Sequence, residues 1–170
     1  MKDSTFLGRR IYQTNRALPF WEKLLSSFDF KRIIDLGTAN GNFSVFFLLT
    51  CLQRKADFHT FDNIDWRKRD TRPQLKNFLG FDRFFKKVDI MEYEKEIGHL
   101  IQSKGRTIVY CDNGNKKEEI RIFSKYMKEG DIVAVHDWMF EIFPKDIPSG
   151  LKEVFINESN EEGMTKVFQK

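Results

Sequence analysis

Residues 31–44 run Lys-Arg-Ile-Ile-Asp-Leu-Gly-Thr-Ala-Asn-Gly-Asn-Phe-Ser and constrain the fold more than any other segment. A short apolar run (Ile33, Ile34, Leu36) carries one acid, Asp35, and breaks at Gly37. Gly41 follows, and an apolar stretch of helical character begins at Phe43. Strand, glycine turn and helix in that order bring a ligand against bare backbone and a helix N-terminus. Glycine suits such a turn because a Cβ would block close approach or forbid positive φ. Gly-x-x-x-Gly alone also fits an ordinary tight turn between strand and helix, so the other segments decide.

Those segments alternate. Strands are expected at residues 32–36, 58–61, 85–88, 107–111 and 132–135, and strand-like stretches at 151–156 and 165–168. Helices are expected at 18–28, 42–55, 73–79, 93–102 and 117–128, the last closed by Gly130. The pattern predicts an α/β fold: a doubly wound, mostly parallel Rossmann-like sheet with helices on both faces. Phe46, Phe47, Leu49 and Leu52 read as the core face of the helix after the glycine turn. Pro144–Gly150 reads as a loop.

The 170 residues suit a single domain, 1–170, able to bury a core to which most of the 18 Phe should contribute. No apolar run reaches the ~20 residues of a membrane span. The N-terminus lacks the apolar stretch of a signal peptide. Cys51 and Cys111 read as buried thiols, neither a disulfide framework nor a zinc set. A cytoplasmic protein is expected. The net charge of +4 is concentrated between Asp65 and Lys87, where eight basic residues face three acids. That segment reads as a solvated helix and loop in preference to a nucleic-acid surface; Trp66 is the one aromatic beside its basic triplet.

The second expected strand ends in Asp62, 25 residues past Gly37. An acid about 20 residues beyond the glycine turn is the usual acceptor for ribose hydroxyls in nucleotide-binding βαβ units. The turn is not Gly-x-Gly-x-x-Gly: Ala39 stands where a pyrophosphate would need a middle glycine. An acid two residues before the first glycine suits a cationic ligand better than a pyrophosphate. Asp-Leu-Gly-Thr-Ala-Asn-Gly-Asn-Phe-Ser resembles motif I of the class I S-adenosylmethionine (SAM)-dependent methyltransferases. Residues 84–90, 106–114 and 127–138 continue the resemblance in order. The stretches beginning at Gly8 and Leu18, the Asp-x-Gly turn and the Gly-Asp-x-x-x-x-His-Asp strand are similar to cephalosporin-hydroxylase-type and macrocin-type small-molecule O-methyltransferases. The resemblance implies the class I methyltransferase fold, with an antiparallel C-terminal strand. It also implies SAM contacts from Asp35, Gly37, Thr38, Ala39, Gly41, Asp62, Asn63, Asp89 and Ile90.

Asp35, Asp62, Asp89, Asp112 and Asp137 all fall at or near strand ends. Such a rim is self-repulsive unless a cation joins it. SAM supplies a sulfonium and an ammonium, and Asp112, His136 and Asp137 could add Mg²⁺ or Mn²⁺ as a Lewis acid. Metal-dependent relatives often carry Glu or Asp where this chain has His136, and a histidine where it has Asn115. Asn115 cannot be a base, so His136 is the candidate general base, beside Asp112; it reads equally as a strand-end histidine orienting Asp137. His59 and His99 read as structural or exposed. Trp138–Phe143 reads equally as an acceptor pocket, a subunit interface of a homo-oligomer, or a packed crossover helix. The reading is a methyltransferase acting on an oxygen of a small molecule, a sugar or a natural product. The alternatives are a nucleic-acid methyltransferase and a non-catalytic SAM-fold binding protein. An NAD(P) oxidoreductase would want the middle glycine and a Tyr-x-x-x-Lys set, both absent.

Overall fold

A computed structural model of the chain describes residues 4–65 and 78–170. Along the chain come strands β1 (Ser4–Phe6) and β2 (Arg9–Ile11), helix α1 (Ala17–Ser27), β3 (Arg32–Leu36), α2 (Asn42–Arg54) and β4 (Asp57–Asp62). After a 3₁₀ turn (Phe78–Arg83) follow β5 (Phe85–Lys87), α3 (Glu94–Gln102), β6 (Thr107–Cys111), α4 (Lys116–Phe123) and β7 (Ile132–Val135). A second 3₁₀ turn (Pro144–Asp146), β8 (Lys152–Val154), α5 (Ile156–Glu162) and β9 (Lys166–Gln169) complete it.

Seven strands form the main sheet in the order β5-β4-β3-β6-β7-β9-β8. Pairings from β5 to β7 are parallel, and β9 runs antiparallel to both β7 and β8. Helices cover both faces, as alternating side chains require. Ile33, Ile108, Tyr110 and Ala134 pack with α1 and α2; Ile34, Leu36, Val109, Cys111 and Val133 pack with α3 and α4. Near-continuous burial along β3, β6 and β7 marks them as central strands. Both cysteines are free and buried.

The chain passes outward from β3 to β4 and β5, then returns to place β6 on the other side of β3. The ends of β3 and β6 therefore flank the topological switch point, the crevice where open α/β sheets bind ligands. Leu36 pairs with Cys111 in register, and Asp112 N–H donates to the Leu36 carbonyl at 2.7 Å. Gly37 turns away at φ +115°, and a Cβ there would lie 2.4 Å from the Asp112 carbonyl carbon and oxygen.

Several local expectations fail for identifiable reasons. The β1–β2 hairpin was not expected; Leu7 and Gly8, both at positive φ, make its two-residue turn. Helix α5 was not expected either, because Ile-Asn-Glu-Ser-Asn-Glu-Glu has no apolar periodicity, and it takes residue 156 from the expected strand 151–156. The helix expected at 117–128 ends at Phe123 and continues as turns in which Lys125 and Tyr126 N–H reach back three residues. Trp138–Phe143 is not a helix: Asp137 and Met139 have positive φ, and Trp138 bridges Ile142 across a tight turn. Leu52 lies on the exposed side of α2, whereas Phe46 and Phe47 are buried. The helix expected at 73–79 and the basic residues Arg67, Lys68, Arg69, Arg72 and Lys76 lie, apart from the start of the 3₁₀ turn at 78–79, outside the described residues.

Gly37→Ala should be among the most damaging single changes. It combines a forbidden φ with backbone overlap, together roughly 3–5 kcal/mol. Chemical denaturation should show a midpoint shift of that size, whereas Gly8→Ala meets nothing within 4 Å and bears only the strain of its φ.

Candidate active site

A cavity of about 540 Å³ opens at the switch point, lined by Gly37 and Ala39 after β3, by Asp62, Asn63 and Ile64 after β4, and by Asp112, Asn113 and Gly114 after β6. Lys116 at the start of α4, His136 and Asp137 after β7, and Tyr12 beyond the hairpin complete the wall.

Four of the five amides of the 37–41 turn donate to protein acceptors; the Asn40 amide does not. Gly37 and Thr38 N–H both donate to the Phe61 carbonyl, at 2.8 and 3.3 Å. Ala39 N–H donates to Asp62 Oδ2 at 2.8 Å, Gly41 N–H to the Thr38 carbonyl at 2.8 Å, and Asn42 N–H to Asn40 Oδ1 at 3.0 Å. A phosphate held on backbone N–H groups would have to compete with each of these acceptors. The second oxygen of Asp62 accepts from Ile64 N–H at 2.9 Å. Burial pushes the Asp62 carboxyl above its ordinary range, opposed by the N–H groups of Ile64, Ala39 and Asn63.

Asp35 does not line the cavity. Its carboxyl is buried beneath the turn, and Oδ2 accepts from Ser44 Oγ at 2.5 Å and Thr60 Oγ1 at 2.8 Å. It ties β3 to α2 and β4, with Oδ2 taken up by those two hydroxyls. Thr38 is likewise buried and shares a hydrogen bond with Thr60 (2.6 Å). Gly41 is the left-handed N-cap of α2. Asp89 is not on the cavity wall: Oδ1 accepts from Met91 N–H at 2.8 Å in the turn before α3, and neighbouring Ile90 is buried in the core under α3. Of the expected cofactor set, Gly37, Ala39, Asp62 and Asn63 come together.

The second half of the cavity is a charge cluster. Asp112 Oδ2 accepts from Gln13 Nε2 at 3.0 Å and Tyr110 Oη at 3.1 Å. Tyr110 is itself locked edge-on against Trp21 and Phe47. Asp112 Oδ1 faces His136 Nδ1 at 3.1 Å, and the same nitrogen lies 3.3 Å from Asp137 Oδ1. Burial alone would lower the imidazole pKa, but the carboxylates of Asp112 and Asp137 outweigh it and raise it to about 10. With no metal bound, the two carboxylates favour the protonated imidazole, which works against the base role expected for His136 from sequence. Asp137 is held below the usual carboxylate range, chiefly by the His136 hydrogen bond. Lys116 lies in the same cluster, its Nζ 2.9 Å from Asp137 Oδ2. Sequence reasoning passed over Lys116, Tyr12, Ile64, Asn113 and Gly114. The signal for Lys116 was there: a lysine four residues past a strand-end acid, in the first turn of a helix.

Donor atoms of Asp112, His136 and Asp137 lie within 4.8 Å of one another, and this is a metal-capable set among the described residues. The chemistry fits a divalent ion: two hard carboxylates and one imidazole whose Nδ1 faces both of them. Among the described residues, no helix is long and apolar enough to cross a membrane.

No protein-family model matches the sequence, and no curated protein matches it. Solved structures do match the fold. A CmcI structure with SAH aligns at TM-score 0.65 and 13% identity, over 96% of this chain and 81% of its own. A CmcI structure with Mg-SAM aligns at 0.58 and 16% identity, over 79% of this chain and 57% of its own. Cofactor-bound Rv0187 from MTB aligns at 0.51 and 15% identity, over 75% of this chain and 57% of its own. The chain thus spans little more than half the length of the last two. Its fold is the methyltransferase fold expected from the sequence, antiparallel C-terminal strand included.

Asp35 gives a pH prediction. Burial raises its folded-state pKa to about 7, against the hydrogen bonds from Ser44 and Thr60. Unfolded, it titrates near the ordinary ~3.9. Between those values the native state binds the extra proton, so this group's contribution to stability falls as pH rises from ~4 to ~7 and stays low above. Asp35→Asn should therefore gain Tm relative to the unmodified chain as pH rises across that window. Thermal melts at pH 4.5 and 8 would show it; an unchanged difference would mean that Asp35 is charged in the native state throughout.

Proposed function

We propose that the chain is a SAM-dependent methyltransferase, transferring a methyl group to an oxygen of a small molecule, a sugar or a natural product. One observation carries the reading. At the switch point the Gly37, Thr38, Ala39 and Gly41 N–H groups donate to protein acceptors, while Asp62, Asp112 and Asp137 bring carboxylates to the same cavity. A dinucleotide pyrophosphate finds few free amides and an unfavourable field there. A nucleoside with a sulfonium and an ammonium finds an acid at the end of β4 for its ribose and negative charge for its cationic arm. The SAH and Mg-SAM bound to CmcI on the same fold support that choice.

In the transfer, the carbon–sulfur bond of the sulfonium breaks as a carbon–oxygen bond forms on the acceptor. The acceptor hydroxyl gives its proton to the Asp112 carboxylate on the cavity wall and through it to solvent, and SAH leaves. The chain's contribution is placement: a near-attack geometry of oxygen against methyl, shielded from water. Gln13 and Tyr110 fix Asp112, and His136 clamps Asp112 to Asp137, so the wall that an acceptor meets is rigid. Asp112, His136 and Asp137 would hold a divalent ion, which when bound lowers the pKa of a hydroxyl as a Lewis acid.

SAH should raise the melting temperature, because a ligand that binds only the native state stabilises it by mass action, and NADH should not. Stabilisation by NADH alone would overturn the assignment. Asp62→Ala should weaken SAH binding by ~1.5–3 kcal/mol, the worth of hydrogen bonds to a charged group. Calorimetry would measure it, and a folded variant with full affinity would place the ribose elsewhere. EDTA should suppress methyl transfer while leaving SAH affinity nearly intact; full turnover in EDTA would remove the metal from the reaction.

A further inference from the structure

The acid set after β6 and β7 already contains a cation. Lys116 is the first residue of α4, and its side chain is only 5% exposed. Its Nζ lies 2.8 Å from Glu141 Oε2, 2.9 Å from Asp137 Oδ2 and 3.6 Å from Asp112 Oδ1. A lysine in the first turn of a helix works against the macrodipole, so these carboxylates are what hold it there. Two of the three belong to the donor set of Asp112, His136 and Asp137, whose atoms cluster within 4.8 Å. His136 Nδ1, facing both Asp112 Oδ1 and Asp137 Oδ1, is the third donor of the set. A divalent ion that draws on Asp137 competes with the ammonium already seated on its Oδ2.

We propose that Lys116 is a tethered counter-ion of this site, which a divalent metal must displace from Asp137, so that the lysine sets the metal affinity. The proposal rests on reading Asp112, His136 and Asp137 as a metal-capable set, as above. Glu141 makes the displacement feasible. It bonds the same ammonium from outside the donor set, and its side chain is 53% exposed. A lysine released from Asp137 stays paired with Glu141 and is not left as an uncompensated buried charge, which would be strongly unfavourable. The device is a competition between two cations for one pair of carboxylates.

Mn²⁺ binding in the absence of any cofactor or acceptor tests this, read by electron paramagnetic resonance of free Mn²⁺ or by calorimetry. Lys116→Gln should bind Mn²⁺ at least tenfold more tightly than the unmodified chain. Lys116→Arg keeps the charge and should bind no more tightly than the unmodified chain. Asp137→Asn in the Lys116→Gln background should abolish the gain. Lys116→Met, of similar length and apolar, carries the same expectation and stands in where Lys116→Gln fails to fold by circular dichroism. Equal Mn²⁺ affinity of the neutral variants and the unmodified chain, no binding by either, or an equal gain in Lys116→Arg would overturn the proposal. A failure of the methyltransferase reading would appear separately, as absent SAH binding.

Discussion

The ends of β3 and β6 approach each other more closely than any side chain permits. Asp112 N–H reaches the Leu36 carbonyl at 2.7 Å, and the Gly37 α-carbon faces the Asp112 carbonyl where a Cβ would sit at 2.4 Å. The rest of the site follows from that contact. With the two strand ends held together, the turn after β3 is forced up and over, and its amides find acceptors in Phe61 and Asp62 on the next strand. The same contact sets Asp112 at the floor of the cavity, within reach of His136 from β7. A methyl group at position 37 would separate the half of the cavity that suits a nucleoside from the half that carries the charge cluster.

Much of this was legible in sequence, for a physical reason. Central parallel strands are buried on both faces, so β3, β6 and β7 appear as short apolar runs, and their ends are marked by the first polar residue: Asp112 after Cys111, His136 after Val135. Parallel order then places those ends on one edge of the sheet. The same logic explains which strand-end acids lie off the cavity wall. Asp35 and Asp89 also occur at or near strand ends, but sequence order does not say which way a carboxyl turns. Asp35 faces the α2 side and is captured by Ser44 and Thr60; Asp89 turns back on its own following N–H groups.

Residues outside the strands were the harder part. Tyr12 reaches the cavity because the β1–β2 hairpin is pinned to α2, with Asn42 Nδ2 donating to the Arg10 carbonyl at 2.9 Å. No periodicity encodes a contact 32 residues apart. Helix α5 hides for a related cause. Its buried residues, Ser159 and Glu162, are polar, and Glu162 earns burial through hydrogen bonds from Thr14 Oγ1 and from Met164 and Thr165 N–H. A helix held by polar bonds leaves no apolar stripe to detect.

The charge cluster shows how burial and pairing divide the work. Asp35 and Asp112 are both acids at the switch point, yet their environments diverge. Asp35 has two hydroxyl donors and no cation, and burial dominates, raising it to about 7. Asp112 and Asp137 share the proton-bearing His136 and the ammonium of Lys116. With Glu141 counted, three acidic side chains meet two basic ones, and that excess of acid is what a cationic cofactor or a divalent ion would meet on arrival. A site neutralised completely by its own lysine and histidine would hold neither, and one with no internal cation would push one of its carboxyls toward protonation. The cluster lies between those limits, close enough to balance to stay folded and far enough from it to attract a positive ligand.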